Sequence, residues 1–570
     1  MQKAILPLLL ALSHGDSRTT AGAAVGPLRD LSSYLSSCLD DSLAVSDVVA
    51  LFDALIPLTG LFVVMKDATV QKELRNLLDA FNRSVDANTL LFSIVHVLNA
   101  RVSNLSEKSL SLSLFFSVIQ TYAKSERVGG PVVNAEYNQA LASICNHLII
   151  PKAFANDLET LVDSDAWKDI HSFKANTPKL FAMLSFFTSD SLLCDEALVD
   201  STVIQLISHC ATFLGSTTSS SNWITSESQT AARSLLENIV RNCSSKKREI
   251  DSLQFVVEKY AKRILESFVK PYFQKSQVKD EKWKVLGKQV KKKTIAGDVF
   301  NDQPWKSEFL ECVPIFEWVV GNVKSEMSQI QFLVVPTVLT LVDDFDPKYK
   351  SRGLQVLKNS VLPNLSPIEF RTSGLGQVFF ETLRICLTYH SNPPVLRDAF
   401  STITLLASTI ETRDSEAFIQ KLAIIMEEGV LRGLRLSIGG RLEIIRAILV
   451  AIPQVVDGMG VMTIKYLKPL AELTCEVLEI HHHDLETQLI CGRAIESILC
   501  TCWPRVNVYR GIFLKAFATA WINLDRDDLV EQRDPRLKND VDSKDRLLLR
   551  AMLKELIGIL DEICGDDIQV

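Results

Sequence analysis

The sequence predicts an all-α protein built as an α-solenoid of helical-pair repeats. Apolar residues recur at helical spacing in blocks of about 12 to 20 residues, as in "LQFVVEKYAKRILESFV", whereas alternating strand-like runs are scarce. Candidate helix starts occur at Asp346, at Ser391, near Gly439 and at Asp484, which separates them by 45, about 48 and 45 residues. This period is close to the roughly 40 to 47 residues of HEAT units. We therefore expect HEAT-like repeats, in which each pair buries its apolar face against its neighbours.

Length and composition indicate a folded protein that is larger than one ordinary domain. The chain has 570 residues, of which 47% are hydrophobic and 23% charged. These fractions are typical of globular proteins, and the length requires several domains or one long repeat array. The formal net charge is −7. Because a general nucleic-acid binder needs a basic surface, we expect no nucleic-acid partner.

Cysteine usage indicates the cellular compartment. Twelve cysteines are spread from Cys38 to Cys564, mostly in apolar stretches such as "RICLTY" and "LICGRAI". This distribution is typical of buried free thiols in a reducing compartment and shows no disulfide framework. We therefore expect a cytoplasmic protein, with the nucleus as an additional location.

No membrane segment is expected. The start "MQKAILPLLLAL" could be a secretory signal or a first helix, and the free cysteines favour the helix. The apolar stretch from Ala54 to Met65 contains Pro57 and Gly60. It is also shorter than the roughly 18 to 20 residues that a membrane span needs.

A lysine-rich stretch divides the chain. Eight lysines and two acids lie between Lys275 and Lys293, without a sustained helical face. We interpret 270–304 as a basic linker or exposed loop between an N-terminal helical repeat region, 1–269, and a C-terminal HEAT-like repeat domain, 305–570. The alternatives for the linker are a docking segment for an acidic partner or a nuclear-localisation element around 291–293.

The stretch "LTLVDDFDPKYKSRGLQVL" places three acids directly before three basic residues. Amphipathic helical spacing lies on both sides of the acids, so we expect two helices to meet there. Asp346 is suited to be the N-cap of the second helix and Pro347 its first residue. The acids are thus interpreted as an inter-helix turn rather than a catalytic cluster. The polar, solvated or partner-facing side of the second helix would comprise Lys348, Ser351, Arg352, Gln355 and Lys358.

Enzyme motifs are not found in the sequence. It has no phosphate-binding loop, no serine-hydrolase elbow and no zinc-protease helix. The best metal candidate is "HHHDLE", His481 to His483, with Cys475 and Cys491 nearby. Since adjacent histidines on a helix point in different directions, a polar turn is favoured there. Cys500 and Cys502 are interpreted as packing residues. We expect no catalytic residue, no cofactor and no bound metal.

Several stretches resemble one protein family. "VPTVLTLVDDFDPKYKSRGLQVL" is similar to the conserved region of the Tel-two-interacting protein two family, whose members are the third subunit of the triple-T co-chaperone complex. "RTSGLGQVFFETL", "CWPRVNVYRGIFLKAFATAW" and "DQPWKSEFLECVPIFEWVV" also resemble family segments. The resemblance covers roughly 302–525, and the N-terminal half shows only generic helical patterning.

The resemblance implies a binding function without covalent chemistry. It implies a scaffold that joins Tel-two and Tel-two-interacting protein one, and that works with the ninety-kilodalton heat-shock chaperone. The implied role is the maturation of phosphatidylinositol-3-kinase-related kinases such as TOR and ATM. The alternatives are a metal-dependent enzyme that uses the histidine run and a transport-receptor-like solenoid.

The partner surface is expected in the C-terminal repeats, where the family-like stretches lie. In "CWPRVNVYRGIF" we expect Pro504 to start a helix whose core face carries Val508, Ile512 and Phe513. Arginine and tyrosine often anchor interfaces because they combine contact area with directed hydrogen bonds. The alternative for Arg505 is that it braces a neighbouring repeat. The candidate partner-binding residues are Arg505, Tyr509, Arg510, Lys348 and Arg352.

Overall fold

The structure, a computed structural model, describes most of the chain. The described ranges are 28–33, 43–64, 85–101, 105–122, 132–155, 165–189, 198–215, 222–243, 252–273, 303–533 and 540–565, with single positions at 72–81 and at 193. Within these ranges the backbone forms helices and turns and no β-strand. The predicted all-α class is confirmed. The chain separates into two compact units, Met1–Glu326 and Met327–Val570.

The first unit consists of antiparallel helices in two layers. Its helices are α1 (Val45–Val64), α2 (Ala87–Ala100), α3 (Leu105–Tyr122), α4 (Ala135–Asn146), α5 (Asp165–Phe187), α6 (Asp200–Leu214), α7 (Ser226–Cys243), α8 (Ser252–Ile264), α9 (Pro304–Ser307) and α10 (Cys312–Asn322). Helices α1, α3, α5, α7 and α8 pack in succession as one layer, and α2, α4, α6 and α10 as the other. This alternation is the packing of stacked helical pairs.

The second unit repeats the same plan. Its helices are α11 (Met327–Val342), α12 (Pro347–Val356), α13 (Leu362–Asn364), α14 (Pro367–Thr372), α15 (Leu375–Cys386), α16 (Pro393–Ile410), α17 (Glu416–Ile424), α18 (Arg432–Ser437), α19 (Leu442–Met459), α20 (Leu467–Ile480), α21 (Leu485–Val506), α22 (Arg510–Arg533) and α23 (Asp540–Cys564). A π-helical segment, Ile425–Leu431, joins α17 to α18, and 3₁₀ segments Gly460–Tyr466 and Asn507–Tyr509 follow α19 and α21.

Five helical pairs form this unit, which confirms the predicted HEAT-like solenoid. The second helices of the pairs, α12, α16, α19, α21 and α23, contact one another in succession, and we call them the inner layer. The first helices, α11, α15, α17 with α18, α20 and α22, form the outer layer. The predicted repeat starts fall at the beginning of the inner-layer helices. Asp346, Asn392 and Asp484 are N-caps whose side chains accept backbone N–H groups, and α19 follows Arg441.

Polar contacts tie each repeat to the next at nearly constant sequence separation. In the inner layer, Ser351 Oγ donates to Asp398 Oδ2 at 2.7 Å, and Ser497 Oγ donates to Asp457 Oδ1 at 3.0 Å. In the outer layer, Arg384 donates to both carboxylate oxygens of Glu428 at 2.6 Å. A second contact between α12 and α16, from Lys358 Nζ to Ser401 Oγ at 3.0 Å, advances in the same direction along both helices, so these two helices run parallel to each other.

The predicted domain limits and the two units differ in one respect. The first unit includes Pro304–Ser307 and Cys312–Asn322, which the sequence analysis assigned largely to the C-terminal domain. The basic stretch from Lys275 to Lys293 lies outside the described residues. Its assignment as a linker therefore stays a prediction.

Candidate partner-binding surfaces

The acids before α12 form the turn that the sequence predicted. Asp346 accepts a hydrogen bond from Lys348 N at 2.9 Å, and Pro347 is the first residue of α12. Asp344 is buried, and its Oδ1 accepts from Asp346 N at 2.8 Å. Both carboxylates satisfy backbone N–H groups that would otherwise lack partners. Their positions are thus explained by the turn and the helix cap.

The basic residues that follow have two different roles. Lys348 is exposed, as expected for a partner-facing residue. Arg352 is only 8% exposed, so its placement on the solvated side of α12 was wrong. Lys350 is also buried; its Nζ donates to Val342 O at 2.5 Å and lies 5.4 Å from the Tyr389 ring centroid.

The segment after Cys502 differs from the expected helix start. Helix α21 continues to Val506 with Pro504 in its last turn, and α22 begins only at Arg510. Pro504 therefore does not start a helix. As a result, the residues that follow lie on other faces than expected. Val508, which was expected in the core, is 68% exposed. Phe513 is fully buried, as expected.

The candidate residues of this segment are unequally accessible. Arg505 is exposed, whereas Tyr509, Arg510 and Ile512 are half-buried. Lys348 begins α12 and Arg505 is near the end of α21, so the two lie at opposite edges of the layer and in different repeats. The structure does not bring them together into one site. Whether any of these residues binds a partner stays a prediction.

The sequence analysis missed several exposed apolar residues. Val461 and Met462 in Gly460–Tyr466 are 63% and 57% exposed, and Trp503 and Val508 are 61% and 68% exposed. For the residues after Cys502 the available signal was Pro504, because a proline removes a helical hydrogen bond and so favours a change of backbone geometry nearby.

The histidine run forms a polar turn. His481 follows α20 as its C-cap residue, and its Nε2 lies 2.9 Å from Ile438 O in the preceding repeat. The rings of His482 and His483 are 3.7 Å apart. No group of three His, Cys, Asp or Glu side chains among the described residues is arranged to hold a metal ion.

The neighbouring thiols are packing groups. Cys491 donates to Thr474 O at 3.2 Å, and burial raises its pKa to about 12. Burial likewise raises the pKa of Cys475. Both thiols therefore stay protonated near neutral pH, whereas the thiolate is the metal-binding form. The expected packing role also fits Cys502, which is fully buried; Cys500 is exposed.

One concave site lies in the first unit. It has a volume of about 630 Å³. Its lining is mixed, with five apolar residues and three charged residues of α7: Leu214, Leu236, Val240, Leu253, Trp318, Arg233, Glu237 and Arg241. These residues form no arrangement of nucleophile, base and orienting group.

One segment of the described chain is long and apolar enough to cross a membrane, Leu442–Ile480. It consists of α19, the 3₁₀ segment Gly460–Tyr466 and α20, and half of its most apolar window is buried inside the unit. Core helices of repeat proteins have the same composition, since they are covered on several sides. The expected absence of a membrane span stays a prediction.

Comparison with protein families identifies the central region. Residues 206–480 match the model of the Tti2 family. This stretch of the chain is therefore similar to the Tti2 family. The Tel-two-interacting protein two resemblance is thereby confirmed. The match includes α12 with Lys348 and Arg352, and it starts in the first unit, where sequence analysis found only generic patterning. It ends before Arg505, Tyr509 and Arg510.

Members of the Tti2 family and helical solenoids are of a scaffold type and correspond to no known enzyme class. No curated protein matches the chain.

Solved structures similar to the chain include several of Kap121p. A Kap121p mutant is 13% identical with a TM-score of 0.41, and the match covers 100% of this chain and 46% of Kap121p. Kap121p bound to RanGTP is 14% identical with a TM-score of 0.42, over 99% of this chain and 54% of Kap121p. Kap121p itself is 14% identical with a TM-score of 0.37, over the same shares. The chain thus spans about half the length of these structures.

Proposed function

We propose that the protein is a non-enzymatic scaffold subunit of the triple-T co-chaperone complex. Its direct partners would be Tel-two and Tel-two-interacting protein one. The observation that carries the proposal is the Tti2 family match over residues 206–480, a range that includes stacked helical pairs in each of the two units. Such stacks present a long exposed surface and act by binding.

In this role the protein would support the maturation and stability of phosphatidylinositol-3-kinase-related kinases, together with the ninety-kilodalton heat-shock chaperone. It would act mainly in the cytoplasm, with the nucleus as an additional location. The protein would position its partners relative to one another and contribute no covalent chemistry.

Affinity purification of the tagged protein tests the proposal. Tel-two and Tel-two-interacting protein one should co-purify in stoichiometric amounts, and depletion of the protein should lower the steady-state level of TOR and ATM kinases. Stoichiometric recovery of a small GTPase that depends on the guanine nucleotide, without the two partners, would instead support a transport receptor. Zinc or iron lost on His482→Ala would support the metal-dependent enzyme.

The candidate residues at the end of α21 can be tested in the same assay. Arg505→Glu combined with Arg510→Glu should weaken partner recovery without changing the melting temperature. Lys348→Glu, at the opposite edge of the layer, tests the other candidate surface separately. A fall in melting temperature for the arginine variant would favour the bracing role of Arg505.

A further inference from the structure

Helices α8 and α10 form an antiparallel hairpin within the first unit. At one end of the hairpin, Cys312, the first residue of α10, donates its thiol to Phe268 O, just beyond α8, at 3.3 Å. At the other end, Glu258 of α8 accepts from the backbone N–H of Ser325, just after α10, at 2.9 Å and from its hydroxyl at 2.8 Å. The end of α8 therefore lies beside the start of α10, although residues 274–311 separate the two helices in sequence.

Two aromatic stacks join the same end of this hairpin. The helical backbone continues beyond α8 to Tyr272 and Phe273, and Trp305 and Phe309 precede α10. The ring centroids of Tyr272 and Phe309 are 3.8 Å apart, and those of Phe273 and Trp305 are 4.9 Å apart with the rings inclined by only 11°. Phe273 and Trp305 are 5% and 1% exposed, so the second stack belongs to the core. We call these four residues the aromatic clasp.

The aromatic clasp brings together the two points between which the lysine-rich stretch runs. Phe273 ends one described range, and Trp305 lies near the start of the next. Because one extended residue spans about 3.3 Å, a few residues are enough to connect two backbones whose side chains stack on each other. Helix–helix connections in bundles commonly have about 2 to 8 residues. Residues 274–302 are therefore many more than the connection needs.

Helix α10 is an integral part of the first unit. It packs on α6 as well as on α8. The contact with α6 is close, since a Cβ at Gly215, the C-cap residue of α6, would lie 2.1 Å from Pro314 O. The division between the two units comes later in the chain, between Glu326 and Met327. Both ends of the lysine-rich stretch thus belong to the same unit.

We propose that the lysine-rich stretch is an insertion in the turn of the α8–α10 hairpin, closed at its base by the aromatic clasp, and not a linker between two domains. Contacts at both ends of the hairpin hold α8 and α10 together, so the fold does not need the covalent connection. The eight lysines between Lys275 and Lys293 are then carried by the first unit alone. This holds whichever partner the protein binds.

Cleavage within the insertion tests the proposal. The recognition sequence of a site-specific protease is placed between Gly287 and Lys288 of the full-length protein, which is then cut under native conditions. The two fragments should co-elute in size-exclusion chromatography at the volume of the intact chain, because α10 stays packed on α8 and α6. If the stretch links two domains, the fragments will separate, and this result would overturn the proposal.

Phe309→Ala tests the aromatic clasp in the cut protein. Phe309 and Tyr272 lie on opposite sides of the cut, so the dissociation constant of the two fragments should rise about 10-fold. The matched control is Phe173→Ala, because Phe173 is half-buried like Phe309 and stacks on Phe213, on its own side of the cut, with centroids 6.4 Å apart.

The control should change the dissociation constant by less than about two-fold. The constants are measured by light scattering coupled to size-exclusion chromatography over a dilution series. Equal constants for Phe309→Ala and Phe173→Ala would show that other contacts hold the fragments, and would overturn the role of the aromatic clasp.

The length of the insertion is tested in the uncut protein, independently of the Phe309 variant. Residues 276–300 are replaced by a Gly-Ser segment of about six residues, which is long enough to bridge the base of the hairpin. The shortened protein should melt at the wild-type temperature or slightly above it, because closing a shorter loop costs less conformational entropy. A shortened protein that unfolds, or melts well below wild type, would show that the stretch is needed for the fold and would overturn the proposal.

Discussion

Arg446 of α19 holds the carboxylate that caps the next inner-layer helix. Its Nη2 donates to both oxygens of Asp484, at 2.7 and 2.6 Å. Asp484 in turn accepts from Thr487 N at 3.2 Å and so caps α21. The Asp484 carboxylate thus accepts an otherwise unpaired backbone N–H at the start of α21 and also connects two repeats. Both side chains are only about a quarter exposed, at 23% and 24%, so solvent screens the pair less than a surface ion pair.

Arg446→Met should destabilise the second unit. The change keeps apolar contact but removes charged hydrogen bonds to a half-buried carboxylate, which are worth about 1 to 3 kcal/mol. Differential scanning calorimetry should show a lower melting temperature. Lys468→Met is the control, because Lys468 is 65% exposed and its pair with Glu472 is 3.9 Å long, so its loss should cost below about 1 kcal/mol. Equal effects of the two substitutions would contradict this account.

The pair of Arg446 and Asp484 also predicts that stability depends on pH in the acidic range. Burial by itself would raise the pKa of Asp484, but the hydrogen bonds from Arg446 and Thr487 and the charge of Arg446 outweigh it and lower the pKa. A carboxyl group with a lowered folded-state pKa stabilises the fold above its unfolded value of about 3.9, and this stability is lost as pH falls through the folded-state value. As the pH falls from about 5 to about 2, the melting temperature of the wild type should therefore decrease more steeply than that of Arg446→Met. Parallel curves for the two proteins would exclude a linked contribution from this pair.

Gly353 lies at a close approach of α11 and α12. A Cβ at this position would lie 2.8 Å from Val342 N and 2.8 Å from Leu341 Cβ, and the backbone atom cannot move without shifting α11. Gly353→Ala should therefore cost about 1 to 3 kcal/mol despite the better helix propensity of alanine. Gly558→Ala provides the opposite case, since a Cβ at this position inside α23 meets nothing within 4 Å. This substitution should raise the free energy of unfolding by about 0.5 to 1 kcal/mol. Thermal melts of the two variants should shift in opposite directions, and a stabilised Gly353→Ala would refute the close packing of this helical pair.

The starts of the inner-layer helices could be predicted because helix capping depends on residues that are adjacent in sequence. Asp346 and Asp484 are N-caps in the structure, as their position before amphipathic runs indicated. Side-chain burial was harder to predict, since a repeat helix is covered on both flanks by neighbours that lie about 40 residues away in sequence. Arg352 is an example: helical periodicity placed it on the polar side of α12, but in the structure it is buried.

The end of α21 shows a second limit. Proline is common at a helix start, which suggested that Pro504 opens a helix. In the structure it occupies the last turn of α21, and the 3₁₀ segment Asn507–Tyr509 rotates the chain before α22. Val508 is exposed after this 3₁₀ segment. Local sequence rules favour the helix start, because the N–H that proline lacks is not needed there, whereas in the last turn of α21 its absence removes one helical hydrogen bond.

Glu311 gives a stability prediction for the first unit. The residue precedes α10, and its Oε2 is enclosed without a hydrogen-bond partner among the described residues. Burial raises its pKa to about 7, although its own backbone N–H partly offsets the shift. The folded state therefore holds a proton that the unfolded chain releases near its ordinary value of about 4.3. The unfolded state binds fewer protons across this interval, so stability should fall as pH rises from about 4.3 to about 7 and then level off.

Glu311→Gln removes the carboxylate without changing the size of the side chain. At pH 8 the variant should melt at a higher temperature than wild type, and its free energy of unfolding should be higher by about 1 to 3 kcal/mol. At pH 5, where wild-type Glu311 is protonated, the difference between the two proteins should be smaller. Glu308→Gln is the control, because Glu308 is 52% exposed and its contact with Lys152 is 3.8 Å, so its melting curve should follow wild type at both pH values. A Glu311→Gln protein that is less stable at pH 8 would mean that the ionised carboxylate has a stabilising partner in the folded protein.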